Sequence, residues 1–256
     1  MKIELSTVTE WITVQGPAHE IPVFVAQPGK QEDMPALILI HEIFAVNDHI
    51  KDVAMRFAKK GFRVFAPDLF TCSPQFPKEL EARNDLATMR EVWGGISDST
   101  LIDNLKSVLN EAKRTPNVLP DAIGTMGFCM GGAIAFMFAS STNELAWAVD
   151  FYGRVKYPSL NEQKPKHPID YANVQTPPIL GVFAGQDELI TPEHLEIFRQ
   201  KLEELKVPFE LKVFENCPHA FFNDTREHYK KEEAEQAWQM ALKFMQEHSR
   251  ISPKKN

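Results

Sequence analysis

The stretch Gly127-Phe128-Cys129-Met130-Gly131 is a G-x-C-x-G pentapeptide, the spacing of a nucleophile elbow with cysteine in the usual place of serine. A nucleophile on a tight turn between a buried strand and a helix sits in strained backbone, and glycine on both sides removes the clash that side chains would make there. A sulfur so placed can attack an electrophilic carbonyl if a base takes or holds its proton and an acid orients the base. Two later residues fit those parts: Asp187, in Gly185-Gln186-Asp187-Glu188, and His219, in Cys217-Pro218-His219. The order along the chain is nucleophile, acid, histidine.

Each residue also has a plainer reading. Cys129 could be a small core residue, with the glycines there only to let a helix and a strand pack closely. Asp187 could be a turn residue before a helix, with Asp150, near an earlier strand end, as a rival acid. His219 could be a surface loop histidine. Position favours the chemical reading, because Asp187 follows a strand and His219 is the histidine directly after the last one.

The elements that must hold these residues are legible from periodicity. Residues 3–26 alternate polar and apolar around Gln15-Gly16-Pro17, which predicts two antiparallel strands at a sheet edge. Residues 36–40 (ALILI) are a continuous apolar run, the mark of a strand buried on both faces of a parallel sheet. Asn47 is placed to cap a helix with Ile50, Ala54 and Phe57 on one face, and Gly61 to end it. Strands are then predicted at 63–67, 121–126, 146–151, 178–184 and 209–214. Helices are predicted at 79–92 and 98–114, separated by Gly94-Gly95, and from Met130 through Ile134 and Phe138. A further helix starts at Thr191-Pro192, and a charged one runs from about 226 to 248. Cys129 then stands at a helix N-terminus, where unpaired N–H groups favour negative charge and can hold an oxyanion. Residues 68–77 read as an irregular loop. Residues 157–178 are polar and proline-rich, and a connection of that length usually covers a binding site or is flexible.

Length and composition narrow the function classes. At 256 residues with 43% hydrophobic and 25% charged content, the chain reads as one α/β domain over 1–256, with a flexible tail at 250–256. No apolar run is long enough to span a membrane and the start carries no secretory pattern, so a cytoplasmic location and no membrane partner are expected. Net charge is −7 with dispersed basic residues, which argues against nucleic acid. Cys72, Cys129 and Cys217 are odd in number and widely spaced, as reduced thiols would be. His41-Glu42 begins like H-E-x-x-H, but Ala45 stands where the second histidine belongs. Cys217-x-His219 is too short to define a zinc site. No glycine-rich nucleotide motif is present, so no metal and no cofactor is expected.

Read together, Glu42-Ile43-Phe44-Ala45-Val46-Asn47, Ala66-Pro67-Asp68-Leu69, Gly127-Phe128-Cys129-Met130-Gly131-Gly132, Gly185-Gln186-Asp187 and His219-Ala220-Phe221 resemble the dienelactone hydrolases, or carboxymethylenebutenolidases. The resemblance covers most of the chain. It implies an α/β-hydrolase fold with a mostly parallel sheet of about 7–8 strands, an antiparallel N-terminal edge and helices on both faces. It implies Cys129, Asp187 and His219 as the catalytic triad, and an oxyanion hole from the backbone N–H groups of Ile43 and Met130. Glu42 matches the family's buried glutamate, which holds the thiol neutral until substrate arrives; its plainer reading is an ion-paired residue at a strand end. The implied chemistry is hydrolysis of a small ester or lactone through a thioester, by a monomer or homodimer. A triad attacking thioesters or organophosphate esters, and a non-catalytic relative that binds a small ligand, are the alternative readings.

The sequence departs from that pattern after the catalytic histidine, where Phe222-Asn223 stand in place of an arginine that binds the substrate carboxylate. The nearest arginine there is Arg226, while Arg83 and Arg90 are candidate cations upstream. Phe44, Trp93, Phe221 and Phe222 are candidates to line an apolar pocket, with core packing as the plainer reading. Residues 154–178 are a candidate lid, longer than the family counterpart.

Overall fold

A computed structural model describes residues 6–30 and 32–249. The first residues of the expected hairpin, 3–5, and the tail at 250–256 lie outside the described residues. The chain opens with β1 (Thr7–Gln15) and β2 (Glu20–Pro28), paired antiparallel so that Gln15 faces Glu20 across the turn at Gly16-Pro17. β3 (Met34–Ile40) is buried at every position, as a strand covered on both faces must be. Helix α1 (Asp48–Ala58) follows, capped by the Asn47 side chain accepting from the Ile50 N–H at 3.1 Å, and leads to β4 (Arg63–Pro67).

Next come α2 (Leu86–Gly95), α3 (Asp98–Arg114), β5 (Val118–Phe128) and α4 (Met130–Ala139). The remainder is β6 (Ala148–Phe151), β7 (Ile179–Ala184), α5 (Pro192–Leu205), β8 (Phe209–Phe214) and α6 (Lys231–His248). The strands form an 8-stranded sheet in the order β1-β2-β4-β3-β5-β6-β7-β8. Pairing is antiparallel from β1 through β4 and parallel from there to β8. Two helical layers cover it. Phe57 of α1 meets Trp238 of α6 with ring centroids 4.2 Å apart, and Phe136 of α4 meets Phe198 of α5 at 5.2 Å, with α3 packed beside α4. This is the mixed sheet with an antiparallel edge that the alternation and apolar runs predict. Among the described residues, no helix is long and apolar enough to cross a membrane.

Element boundaries differ from the sequence reading where side chains compete with the helix. The helix expected at 79–92 starts at Leu86, after a 3-10 turn at Glu81–Asn84, because the Asp85 carboxylate accepts from the Thr88 N–H at 2.7 Å and caps it there. Gly94 and Gly95 end α2 rather than separate two helices, and Ser97 caps α3 by accepting from the Thr100 N–H. The last helix begins at Lys231 and not at 226, since residues 223–230 fold into successive turns, Asn223 accepting from the Arg226 N–H and Phe221 from the Lys230 N–H. The loop at 68–77 contains a 3-10 turn, Leu69–Cys72, and the segment 157–178 contains another, Pro168–Tyr171.

The parallel arrangement sends the loops after β3, β5, β6, β7 and β8 to one edge of the sheet. Four of the six described non-glycine residues with positive φ stand in these loops: Ala45, Cys129, Tyr152 and Ala220. Backbone strain of this kind collects where side chains must be aimed rather than packed.

Candidate active site

Cys129 joins β5 to α4 with φ 55° and ψ −119°, outside the regions that ordinary residues favour. The turn is held by the Cys129 N–H donating to Phe151 O at 2.9 Å. It closes because its flanks are glycines. A Cβ on Gly127 would lie 1.9 Å from the Gly131 carbonyl oxygen, and one on Gly131 would lie 2.4 Å from the His41 oxygen. Two N–H groups of this rim, those of Met130 at the start of α4 and Ile43 in the loop after β3, donate to no other group among the described residues. Both residues line the same cavity as Cys129.

His219 and Asp187 complete a line of contacts from that sulfur. The His219 Nε2 is 3.0 Å from Cys129 Sγ, and His219 Nδ1 is 2.6 Å from Asp187 Oδ2. Asp187 is itself fixed, its Oδ1 accepting from the Leu189 N–H at 2.8 Å. Burial disfavours charge on the His219 ring, but the hydrogen bonds to Asp187 and Cys129 and their negative charges outweigh it, raising its pKa to about 10. Asp150, the rival acid, is occupied elsewhere: it lies buried within β6 and accepts from the Gly153 N–H at 2.7 Å, and burial pushes it up to about 7.

Glu42 lines the cavity beside Cys129. Its Oε2 accepts from Asn223 Nδ2 at 2.7 Å, while the buried Oε1 has no hydrogen-bond partner among the described residues. Burial raises its pKa, and His49, the Asn223 amide, His219 and Arg226 pull weakly the other way. The residue standing where the sequence pattern calls for an arginine is therefore an amide that holds this carboxyl group.

The cavity encloses about 380 Å³. Phe44, Leu86, Trp93, Met130 and Leu189 supply apolar wall, and Arg90, Arg154 and Arg226 bring three guanidinium groups. None of the three has a carboxylate partner among the described residues; Arg226 lies over the Phe44 ring at 4.3 Å. Phe44, Arg90 and Trp93 are thus brought to the cavity as the sequence reading expects, while Arg83, Phe221 and Phe222 are not. Arg83 donates to Pro77 O and covers the Phe76 ring. Ala220, with φ 62°, reverses the chain just after His219, so Phe221 turns inward against Phe214 and Tyr152, and Phe222 stacks between Phe128 and Trp238. Of residues 154–178, only Arg154 and Tyr157 line the cavity.

The sequence reading misses Tyr152, Arg154 and the role of Asn223. Tyr152 is wholly buried with φ 42°, its ring 5.2 Å from His219 and its hydroxyl unpartnered among the described residues. Burial, with Glu42, Cys129 and Asp187 nearby, pushes its phenol well above the usual range, so it stays protonated. No motif marks these residues. The available signal is that the loop after every parallel strand opens on the same edge, which singles out the residues directly after 151.

The family model for the dienelactone hydrolase family matches residues 21–249. A protein of Escherichia coli strain K12 named "Putative carboxymethylenebutenolidase" is 32% identical over 248 residues, covering 94% of this chain and 88% of that protein. The crystal structure of a "Putative Dienelactone Hydrolase" from Klebsiella pneumoniae superposes with a TM-score of 0.87 at 27% identity, over 94% of this chain and 99% of that one. A dienelactone hydrolase-like promiscuous phosphotriesterase from metagenomic libraries superposes at 0.77 with 18% identity, over 95% and 99% of the two chains, a likeness of fold alone.

Proposed function

This chain belongs to the dienelactone hydrolase family of carboxymethylenebutenolidase-like ester hydrolases, and from that premise we propose that Cys129, His219 and Asp187 hydrolyse a small ester or lactone through a thioester intermediate. The observation that carries the reading is the continuous line of contacts Cys129–His219–Asp187, 3.0 and 2.6 Å long, along the wall of a cavity of substrate size.

The chemistry follows from the geometry. His219 holds the thiol proton at Nε2, and Asp187 stabilises the imidazolium by accepting from Nδ1. The Cys129 sulfur attacks the ester carbonyl, an S–C bond forms, and the carbonyl electron pair moves to oxygen, where the Ile43 and Met130 N–H groups receive it. As the tetrahedral adduct collapses, the alkoxide leaves with the Nε2 proton; in a lactone it stays tethered to the acyl group. His219 then removes a proton from water, the hydroxide attacks the thioester, and the acid departs as the thiolate regains its partner. Glu42 lines the same cavity with its Oε1 short of a partner, and when ionised it opposes thiolate by repulsion, against the pull that His219 exerts.

Three arginines in the cavity, none in a salt bridge with a carboxylate among the described residues, support a substrate that carries a negative charge beside its ester. Arg154, on the loop after β6, approaches from a different strand end than Arg90 and Arg226. Turnover of a matched pair of lactones, one with a carboxylate and one without, tests both parts. Activity on the pair that survives in Cys129→Ala would overturn the nucleophile; equal kcat/KM for the two lactones would overturn the charge preference. Loss of turnover by at least about 1000-fold in Cys129→Ala is expected.

A further inference from the structure

His41 directly follows β3, its side chain is wholly buried, and both of its ring nitrogens are engaged. Nδ1 is 2.6 Å from the Glu42 carbonyl oxygen, and Nε2 is 3.1 Å from the Leu69 backbone nitrogen. A carbonyl can only accept and a backbone N–H can only donate, so the ring carries its one proton on Nδ1 and its lone pair on Nε2. Burial lowers the pKa of this ring and keeps it neutral, against a weaker pull from Asp68, 4.0 Å away, and from the Glu42 carbonyl. Phe70 closes the site with its ring edge-on at 4.9 Å.

The carbonyl that His41 holds belongs to the same peptide unit as the Ile43 N–H. In a planar trans peptide these two bonds point in opposite directions. A hydrogen bond that draws the Glu42 oxygen toward His41 therefore turns the Ile43 N–H away from it, and Ile43 lines the cavity. The loop's other anchors lie on side chains and at its far end, with Glu42 Oε2 held by Asn223 and Asn47 capping α1; within residues 41–47 the one backbone bond is from the Asn47 N–H to Ala45 O. Leu69 opens the turn after β4, so the ring spans two strand-end loops.

We propose that His41 is the positioning residue of the oxyanion hole: clamped by the Leu69 N–H, it aims the Glu42–Ile43 peptide so that the Ile43 N–H faces the substrate's carbonyl oxygen. The proposal rests on the oxyanion role assigned to Ile43 above. His41 itself touches neither substrate nor sulfur.

The test compares wild type with His41→Leu, which fills the space without a donor, and His41→Asn, whose amide N–H can take the place of Nδ1. Three quantities are read: p-nitrophenyl acetate turnover, inhibition by an aldehyde that forms a tetrahedral adduct on Cys129, and the rate of Cys129 alkylation by iodoacetamide, which needs no oxyanion hole. In His41→Leu, kcat and aldehyde affinity are expected to fall together by about 10- to 1000-fold, the range for loss of one oxyanion donor. KM and the alkylation rate should stay within about twofold of wild type, and His41→Asn should recover most of the loss. Unchanged kcat in His41→Leu, or alkylation falling in step with kcat, overturns the proposal. If wild type binds the aldehyde no better than the matching alcohol, the oxyanion reading of Ile43 fails first and takes the proposal with it. Nitrogen-15 spectra of the wild-type imidazoles add a readout that needs no variant: His41 is expected as the Nδ1–H tautomer, and an Nε2–H signal overturns the clamp.

Discussion

How long His219 keeps its proton is set by burial, which favours the neutral ring, against its hydrogen bonds to Asp187 and Cys129 and their charges, which favour the imidazolium. With its pKa raised to about 10, the ring stays an imidazolium through neutral pH and loses its proton as pH passes about 10. Turnover, which needs that proton for the leaving alkoxide, is expected to fall on the alkaline side with an apparent pKa near 10. Replacing Asp187 by Asn removes the charge that favours the imidazolium, so the alkaline limb should move down toward the ordinary histidine value of about 6.5. A pH profile of kcat/KM for the two proteins reads this directly, and a limb that does not move would remove Asp187 from the role. Asn223 allows a second test. Asn223→Ala leaves the buried Glu42 Oε2 without its donor, and urea unfolding is expected to show a loss of about 1–3 kcal/mol. That Cys129, Asp187 and His219 meet is legible in the sequence, because each stands at a strand end beside a recognisable turn. Arg154 and Tyr152 were not, since their nearness to the sulfur comes from the sheet and not from spacing along the chain. Phe221 and Phe222 misled because one left-handed residue, Ala220, decides which way an aromatic pair beside a histidine will face.

Among the elements, the long connection between β6 and β7 carries an arrangement that its sequence does not show. Polar and proline-rich, it reads as a cover that could lift, yet it is anchored at mid-length by a buried ion pair. Lys164 Nζ is 2.9 Å from Asp98 Oδ1 and donates to Ile96 O at 2.8 Å, and the Tyr157 hydroxyl donates to the same Asp98 oxygen. The ammonium group also lies 5.2 Å from the Trp93 ring, which with Tyr157 forms part of the cavity wall. A lid motion of this segment would have to break that pair. Lys164→Met leaves Asp98 charged and buried, for which a cost of about 3–5 kcal/mol is expected in chemical denaturation, and Asp98→Asn in the same chain should restore part of it. Equal stability of Lys164→Met and wild type would show that the pair anchors nothing. Periodicity could not reveal this arrangement, because an anchor made by one lysine has no period. The late starts of α2 and α6 have a related cause: Asp85 and the turns from Asn223 to Lys230 compete locally with helix, where composition alone extends it.

At the scale of the whole molecule, one sheet does the positioning. Its order brings the ends of β3, β5, β6, β7 and β8 to a single edge, so residues up to 181 positions apart, as Glu42 and Asn223 are, share a hydrogen bond. That much was foreseeable from the all-apolar run at 36–40 and the alternation at the N-terminus, which fix a buried centre and an antiparallel border. The strain at Ala45, Cys129, Tyr152 and Ala220 lies along that edge, while the buried apolar interior below it is regular. The charge is also uneven: the chain carries −7 overall, yet its cavity holds three arginines. Attraction between exposed charges weakens as salt rises. KM for a carboxylated lactone is therefore expected to increase between low and high ionic strength, while KM for its neutral counterpart stays level; parallel behaviour of the two would count against the arginines as a binding site.

The acyl group itself can be caught. Wild-type protein quenched in acid during turnover of a p-nitrophenyl ester, then digested and weighed by mass spectrometry, should carry the acyl mass on the peptide containing Cys129, and the Cys129→Ala protein should carry none. Undiminished hydrolysis by Cys129→Ala, or an acyl mass on some other residue, would contradict the chemistry proposed for this cavity.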